Sequence, residues 1–356
     1  MFVRIPASLS PQYLHCCALI FAICILLPAP CPALLRPPNE LVTMLRKANF
    51  QAVNKRLDGL LTRAQADIVR EDELRLAIDE FSRDDPSLLP LLNAWASATP
   101  KVAYPYFARG VFWDRLGFSD RGTASAARTS DKQFDEMRKA LSRASDDLRK
   151  SLDIDARIHL AYCYLMQGEM AGGERTRFEK WYSDGLRSAP QSAQIRWFHI
   201  NGLEPRWFGS EDDVVQAVQE AKRTLKDPAR INLIAGRVFT TQGDKRFRRR
   251  DYKSALDLFL KGKGLGGSHW FYERKIGEAL YRLNRHSEAV AAFRSVIASR
   301  PHYARGYLWL GYSYYRLGNI AEARDAFQAV INLEPAHPEA HKALKTPGMK
   351  LIPSDS

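Results

Sequence analysis

Apolar and polar positions follow the three-to-four-residue period of amphipathic helices along most of the chain, and no segment shows the two-residue alternation of a strand. The clearest stripes lie in two segments, 270–303 and 304–337, that superimpose at a spacing of 34 residues. Their small, large and proline positions coincide: Gly277 with Gly311, Ala289 with Ala323, Phe293 with Phe327, and Pro301 with Pro335. A repeat of this length predicts stacked helical hairpins, so we predict an all-α fold, an α-α superhelix or solenoid.

The fixed positions of segment 304–337 each have a steric role in a pair of antiparallel helices. Gly311 and Ala323 are small where the two helices cross. Gly318 stands where the first helix must end in a left-handed residue, and Asn284 takes that place in the preceding copy. Asn319, with Glu322 three residues later, predicts a capping-box start to the second helix.

This pattern resembles the tetratricopeptide repeat over residues 270–337. The resemblance implies a scaffold whose first helices line a concave groove and hold a protein or peptide partner. We predict a third copy over 229–269, aligned through Gly236 and Ala255, with seven inserted residues at the hairpin turn Asp244–Asp251. A more divergent unit is predicted around Leu160–Pro190, and a solvated helix beyond Pro338 closes the stack.

The region before the repeats, 39–228, also has helical periodicity, and it resembles an uncharacterised bacterial family, the domain of unknown function numbered four-zero-three-four. The resemblance covers about residues 40–260. It is carried by Trp95 with Pro100, Ala108-Arg109-Gly110, Arg121-Gly122 and Pro205-Arg206-Trp207-Phe208-Gly209-Ser210. A glycine is common in that family where Phe208 stands here. The resemblance implies helical architecture but no biochemical activity.

Residues 1–33 have the layout of a secretory signal peptide, with one arginine, an apolar run over Cys16–Leu27 and the sequence Cys31-Pro32-Ala33. Twelve apolar residues are too few to span a bilayer comfortably, which takes about 20. We therefore expect export to the periplasm or beyond, with an uncleaved membrane anchor as the alternative. After cleavage Cys163 is the one remaining cysteine, so no internal disulfide can form, and we expect it to be a buried small apolar residue.

The chain carries a net charge of +13, and its basic residues suggest two binding surfaces. Aligning the repeats predicts a groove of arginines and aromatic rings that suits an acidic segment or a peptide C-terminus. The predicted groove residues are Arg230, Arg237, Arg274, Lys275, Arg282, Arg305, Trp309, Tyr312, Tyr315 and Arg316. The alternative for these positions is an ordinary solvated face.

The second surface is a basic turn formed by Lys245, Arg246, Arg248, Arg249 and Arg250. We predict that it protrudes, where it could contact anionic lipid headgroups or cell-wall polymer, or be an ordinary solvated turn. Nucleic acid is the less favoured partner for an exported protein.

No catalytic, cofactor or metal motif is recognisable. His337 and His341 are four apart, but Pro338 separates them and no third ligand accompanies them. The glycines at 262–267 follow a helix rather than a strand and lack the ending of a phosphate loop. We therefore predict a non-enzymatic protein-interaction adaptor of the bacterial cell envelope. Its alternatives are a binder of anionic envelope surfaces and an enzyme with a site in the N-terminal half.

Overall fold

The computed structural model describes residues 40–66, 70–81, 85–121, 129–335 and 337–345. All regular secondary structure in these ranges is helical, which confirms the all-α prediction. The predicted signal peptide, 1–33, lies outside the described residues. None of the described helices is both long and apolar enough to cross a membrane.

The region before the repeats contains, among the described residues, ten α-helices and one short 3-10 helix, Asp79–Phe81. The α-helices are α1 (Glu40–Arg46), α2 (Phe50–Ala66), α3 (Glu71–Ile78), α4 (Leu88–Ala98), α5 (Tyr104–Arg121), α6 (Asp131–Ile154), α7 (Leu160–Met170), α8 (Arg175–Ser188), α9 (Ala193–Gly202) and α10 (Glu211–Thr224). From α5 onward they form consecutive hairpins.

Three further hairpins and a final helix complete the superhelix. They are α11 (Pro228–Arg248) with α12 (Tyr252–Gly266), α13 (Trp270–Arg282) with α14 (His286–Ser299), and α15 (Ala304–Arg316) with α16 (Ile320–Leu333), followed by α17 (Pro338–Lys345). Each helix packs on its neighbours in the chain, so the buried core runs along the stack in successive clusters.

The three C-terminal hairpins share one register, which corrects the predicted alignment of the third copy. A Cβ atom added to Gly243, Gly277 or Gly311 would lie 2.5–2.8 Å from the ring of a phenylalanine sixteen residues later. Arg250, Asn284 and Gly318, also 34 residues apart, have positive φ angles of 62°, 59° and 81° at the hairpin turns. Gly243, rather than Gly236, is therefore the equivalent of Gly277.

The third copy thus has no insertion at its turn, and the predicted insertion at Asp244–Asp251 is wrong. The extra length lies at the other end of the hairpin, where α11 begins eight residues before the position equivalent to the start of α13. Asp227 accepts hydrogen bonds from the first backbone N–H groups of α11, and Pro228 occupies its first turn. These two residues start the helix early.

Several local predictions can be compared with the structure directly. Asn284 and Gly318 adopt the predicted left-handed conformation, and Cys163 is buried. Asn319, however, makes no side-chain cap hydrogen bond, so the predicted capping box at the start of α16 is wrong.

Candidate functional site

The inner face of the superhelix encloses a cavity of about 780 Å³. Helices from both halves of the chain line it, with Asp114 of α5 and Gln167 of α7 on the N-terminal side and Arg274 of α13 and Arg305 of α15 on the repeat side. We call this space the central cavity.

The central cavity is rich in arginine and aromatic side chains. Seven arginines line it, against four acidic residues. The arginines are Arg75, Arg115, Arg121, Arg206, Arg274, Arg300 and Arg305, and the acidic residues are Asp79, Asp114, Glu334 and Glu339. Indole and phenyl rings complete the wall, among them Trp207, Trp270 and Trp309. Its formal charge is therefore positive.

Four of the predicted groove residues line the cavity: Arg274, Arg305, Trp309 and Tyr312. Arg274 Nη1 donates to Glu278 Oε1 at 2.7 Å, and Arg305 Nε lies 3.8 Å from the same oxygen. Burial alone would raise the pKa of Glu278, but the charges of Arg274 and Arg305 lower it below its ordinary value. Arg274 is thus held by an internal carboxylate, while the side chain of Arg305 is 44% exposed.

The two aromatic members of this set are packed rather than free. Trp309 and Tyr312 are both buried and make an edge-to-face contact. The Tyr312 hydroxyl donates to Glu339 Oε2 at 2.9 Å, and burial together with that carboxylate raises its pKa. The hydrogen bond fixes the ring at the junction of α15 and α17.

Arg230 and Arg237 do not extend the groove, contrary to the prediction, because both are buried in internal ion pairs. Arg230 Nη1 lies 3.0 Å from Glu71 Oε2. Arg237 is fully buried, with Nη2 2.6 Å from Glu204 Oε1 and its guanidinium 4.4 Å from the ring centres of both Trp197 and Phe271. These arginines hold helices together and are not available to a partner.

The remaining predicted groove residues lie outside the cavity lining. Lys275 is buried, which lowers its pKa, and its Nζ lies 2.5 Å from Asp244 Oδ1. The guanidinium of Arg282 lies 5.9 Å from the Trp309 ring centre. Tyr315 is half-buried and Arg316 is exposed. The predicted groove residues are therefore divided between the cavity wall, the buried core and the outer edge of the stack.

Sequence reasoning missed the cavity residues contributed by the N-terminal half and by the inter-repeat turns. Asp79 binds both Arg75, at 3.3 Å, and Arg300, at 2.7 Å. Arg115 pairs with Glu334, 219 residues later. We call the Asp79–Arg300 and Arg115–Glu334 pairs the end-to-end contacts. Their residues are too far apart in the chain for any spacing in the sequence to reveal them.

Arg206 and Trp207 are cavity residues of the N-terminal half that the sequence does single out, because the two are adjacent in the chain. The Arg206 guanidinium lies 5.6 Å from the Trp207 ring centre and is held by Glu204 at 3.0 Å. Trp207 is 41% exposed. It therefore gives the cavity wall an accessible indole face next to a cation.

Asp114 and His269 of the cavity also have strongly shifted pKa values. Burial raises the pKa of Asp114 to about 8. Burial and the charges of Arg75 and Arg300 lower the pKa of His269 to about 3. Both groups are therefore neutral at pH 7, and His269 Nδ1 accepts from the backbone N–H of Phe271 at 3.4 Å.

Lys245, Arg246 and Arg248 lie in the last turn of α11, and Arg249 and Arg250 form the hairpin turn to α12. Lys245 Nζ lies 2.8 Å from Glu211, and Arg246 lies 3.9 Å from Asp251. Arg248, Arg249 and Arg250 are exposed, and within the described ranges no ion pair is found for them. Groups of three or more potential metal-ligating acidic, histidine or cysteine side chains are absent from the described part of the chain.

Comparison with known proteins identifies the repeats. The tetratricopeptide repeat family model matches residues 274–341, which confirms tetratricopeptide repeats in that segment. No curated protein matches the chain. The resemblance of the N-terminal region to the uncharacterised bacterial family stays a prediction.

Solved structures of repeat proteins show low overall similarity. The chain is similar to PilF of Pseudomonas aeruginosa, with 18% identity, coverage of 67% of this chain and 97% of that one, and a TM-score of 0.35. It is also similar to YrrB, described as a TPR protein with an unusual peptide-binding site, with 17% identity, coverage of 72% and 98%, and a TM-score of 0.31.

Proposed function

We propose that this protein is a non-enzymatic interaction adaptor of the bacterial cell envelope that binds an acidic peptide segment in the central cavity. The observation that carries the proposal is the excess of arginines over acidic residues in a concave wall that also contains indole rings. Arginine binds carboxylates through two parallel hydrogen bonds, and aromatic rings supply desolvated contact area. An acidic side chain or a chain terminus fits both features.

The cavity volume limits how much of a partner can enter. At about 780 Å³ it lies within the usual range for ligand pockets, about 300–1,000 Å³. We therefore propose that a short segment of the partner enters while the rest of the partner stays outside.

Two arginines are the best candidates for direct contact with the segment. Arg305 is substantially exposed and lies at a long distance from Glu278. Arg121, at the end of α5, lines the cavity and has no ion pair among the described residues. The other cavity arginines that pair with Asp79, Glu204, Glu278 or Glu334 are already neutralised in part.

Fluorescence anisotropy with a labelled octapeptide rich in glutamate, compared with its lysine-substituted counterpart, tests the proposal. We expect the wild type to bind the acidic peptide selectively, and an Arg121→Glu, Arg305→Glu variant to lose at least tenfold in affinity. Arg316→Glu, Arg324→Glu is the matched control, because it makes the same charge change on two exposed residues outside the cavity. Equal losses in the control and the cavity variant would contradict the proposed site.

The anionic-surface alternative depends on three adjacent exposed arginines, Arg248, Arg249 and Arg250. If this alternative holds, binding of the protein to vesicles with anionic headgroups falls steeply as the salt concentration rises, because contacts between exposed charges are screened. Peptide binding in a cavity with buried rings would keep part of its affinity at high salt. Replacing the three arginines with glutamine separates the two surfaces.

The enzyme alternative draws on Asp114, whose shifted pKa is typical of catalytic acids. Its hydrogen-bond partner is Gln167, and among the described residues no hydrogen bond joins it to a nucleophile or to a second acid–base group. We therefore assign Asp114 to ligand binding rather than to catalysis.

A further inference from the structure

Asp114 makes no ion pair among the described residues, in contrast to Asp79 and Glu334 of the same cavity. Its side chain is 3% exposed, and Gln167 Nε2 donates to Asp114 Oδ2 at 2.7 Å. The second oxygen, Oδ1, is buried and has no hydrogen-bond partner in the described part of the chain. The carboxyl of Asp114 is thus held by a neutral amide, whereas the carboxylates of Asp79 and Glu334 are held by arginines.

The nearby arginines are directed to other carboxylates. Arg115, the next residue in the chain, pairs with Glu334. Arg75 and Arg300 both bind Asp79. Burial disfavours the ionised form and raises the pKa of Asp114 to about 8, although the charge of Arg115 and the hydrogen bond from Gln167 act in the opposite direction.

We propose that Asp114 is a specificity-determining residue of the central cavity, which admits a carboxylate ligand while Asp114 is neutral and rejects it once Asp114 is ionised. The inference rests on the proposed function, since the ligand is the same acidic peptide segment. In its protonated form Asp114 adds no negative charge to the wall, so the arginines act on the ligand undiminished. In its ionised form its negative charge repels the carboxylates of the ligand.

Among the described elements packed around α5, the 3-10 helix carries a second carboxyl that titrates near neutral pH, Glu80, whose pKa burial raises to about 7. Glu80 accepts from the backbone N–H groups of Leu41 and Val42 and does not line the cavity, so Asp114→Asn separates the two titrations. Helix α4 has no charged residue, and the polar side chains of α7 nearest Asp114 are Gln167 and Tyr164. Four charged groups on the packed elements have partners of their own: Asp79 with Arg75 and Arg300, Asp147 with Arg109, Arg143 over the Trp113 ring, and Glu169 of α7 with Arg177.

The test is the pH dependence of binding of the glutamate-rich octapeptide to the full chain. From pH 6.5 to pH 9.5 we expect the wild-type affinity to fall about tenfold, with its midpoint near the pKa of Asp114. Asp114→Asn keeps a neutral hydrogen-bonding group, so its affinity is expected to change less than twofold. Asp146→Asn, an exposed residue on α6, is the matched charge control and should behave as the wild type.

A second measurement needs no variant. Calorimetry of octapeptide binding at pH 8.5 in buffers of different ionisation enthalpy is expected to show proton uptake that disappears at pH 6.5, because the bound anion favours protonated Asp114. Binding without proton uptake, or an unchanged pH profile in Asp114→Asn, would overturn the role of Asp114 and leave the proposed function standing. Failure of the wild type to bind the octapeptide at any pH would refute both.

Discussion

A buried cluster around Glu71 gives the sharpest prediction about stability. Glu71, on α3, is 1% exposed and accepts hydrogen bonds from His159 Nε2 at 2.8 Å, Arg230 Nη1 at 3.0 Å and the Ser192 hydroxyl. Burial alone would raise its pKa, but the bonds from His159 and Ser192 and the charge of Arg230 lower it below the ordinary value. One carboxylate therefore joins α3 to the starts of α7, α9 and α11.

Glu71→Gln keeps the size of the side chain and removes its charge. Arg230, which is 8% exposed, would then retain one charged partner in the described part of the chain, Asp227, 3.6 Å away. Removing one member of a buried ion pair costs about 3–5 kcal/mol, because the other charge stays buried without compensation. Since small domains are stable by about 5–15 kcal/mol, we expect a large fall in the free energy of unfolding.

Urea denaturation followed by circular dichroism at 222 nm measures this difference. Glu73→Gln is the matched control: it lies on the same helix, but its pairs with Arg63, at 3.6 Å, and Arg70, at 3.3 Å, are exposed. Exposed pairs contribute about 0–1 kcal/mol. If Glu71→Gln and Glu73→Gln destabilise the protein equally, the reasoning about the buried cluster is refuted.

The same cluster predicts a pH dependence. Because folding lowers the pKa of Glu71, its contribution to stability is complete above the unfolded pKa, about 4.3, and is lost as the pH falls through the folded value. The difference between wild type and Glu71→Gln should therefore shrink in acid. A difference that stays constant from pH 7 to pH 3 would contradict the assigned ionisation.

Two further predictions concern the repeat geometry. Gly311→Ala should destabilise the protein by about 1–3 kcal/mol in urea denaturation, because the new Cβ would lie 2.7 Å from the Phe327 ring. Gly264→Ala is the control and should not destabilise it, because no atom lies within 4 Å of the added Cβ. Equal effects of the two substitutions would disprove the close packing at Gly311. Asn284→Ala should lower the stability by about 1 kcal/mol, because residue 284 has a φ of 59°, which alanine adopts only with strain. Asn284→Gly should not lower it. An Asn284→Ala variant as stable as the wild type in thermal denaturation would argue against a left-handed turn.

Predictability from sequence is highest where a physical constraint repeats. The steric demands of helix crossing and of the left-handed turn recur every 34 residues, so the pattern alone assigns roles to Gly277, Asn284, Gly311 and Gly318. The third copy is misaligned by the same reasoning because its turn residue is Arg250, a residue type that rarely has positive φ.

The candidate site is only partly predictable, because its walls come from distant parts of the chain. The repeat alignment points to Arg274 and Arg305, which line the cavity. It cannot distinguish them from Arg237, whose burial depends on Glu204 and the rings of Trp197 and Phe271. Partners of this kind converge through tertiary packing, which a single sequence does not encode as a spacing.

The end-to-end contacts change how this solenoid should respond to stress. In an open repeat array each unit contacts only its neighbours, so terminal units can unfold alone and stability is a sum of local terms. Here Arg115 pairs with Glu334, and Asp79 binds Arg300 at 2.7 Å, so the N-terminal helices support the last repeats directly. We therefore expect the described superhelix to unfold as one cooperative unit, in which loosening either end lowers the protection of both.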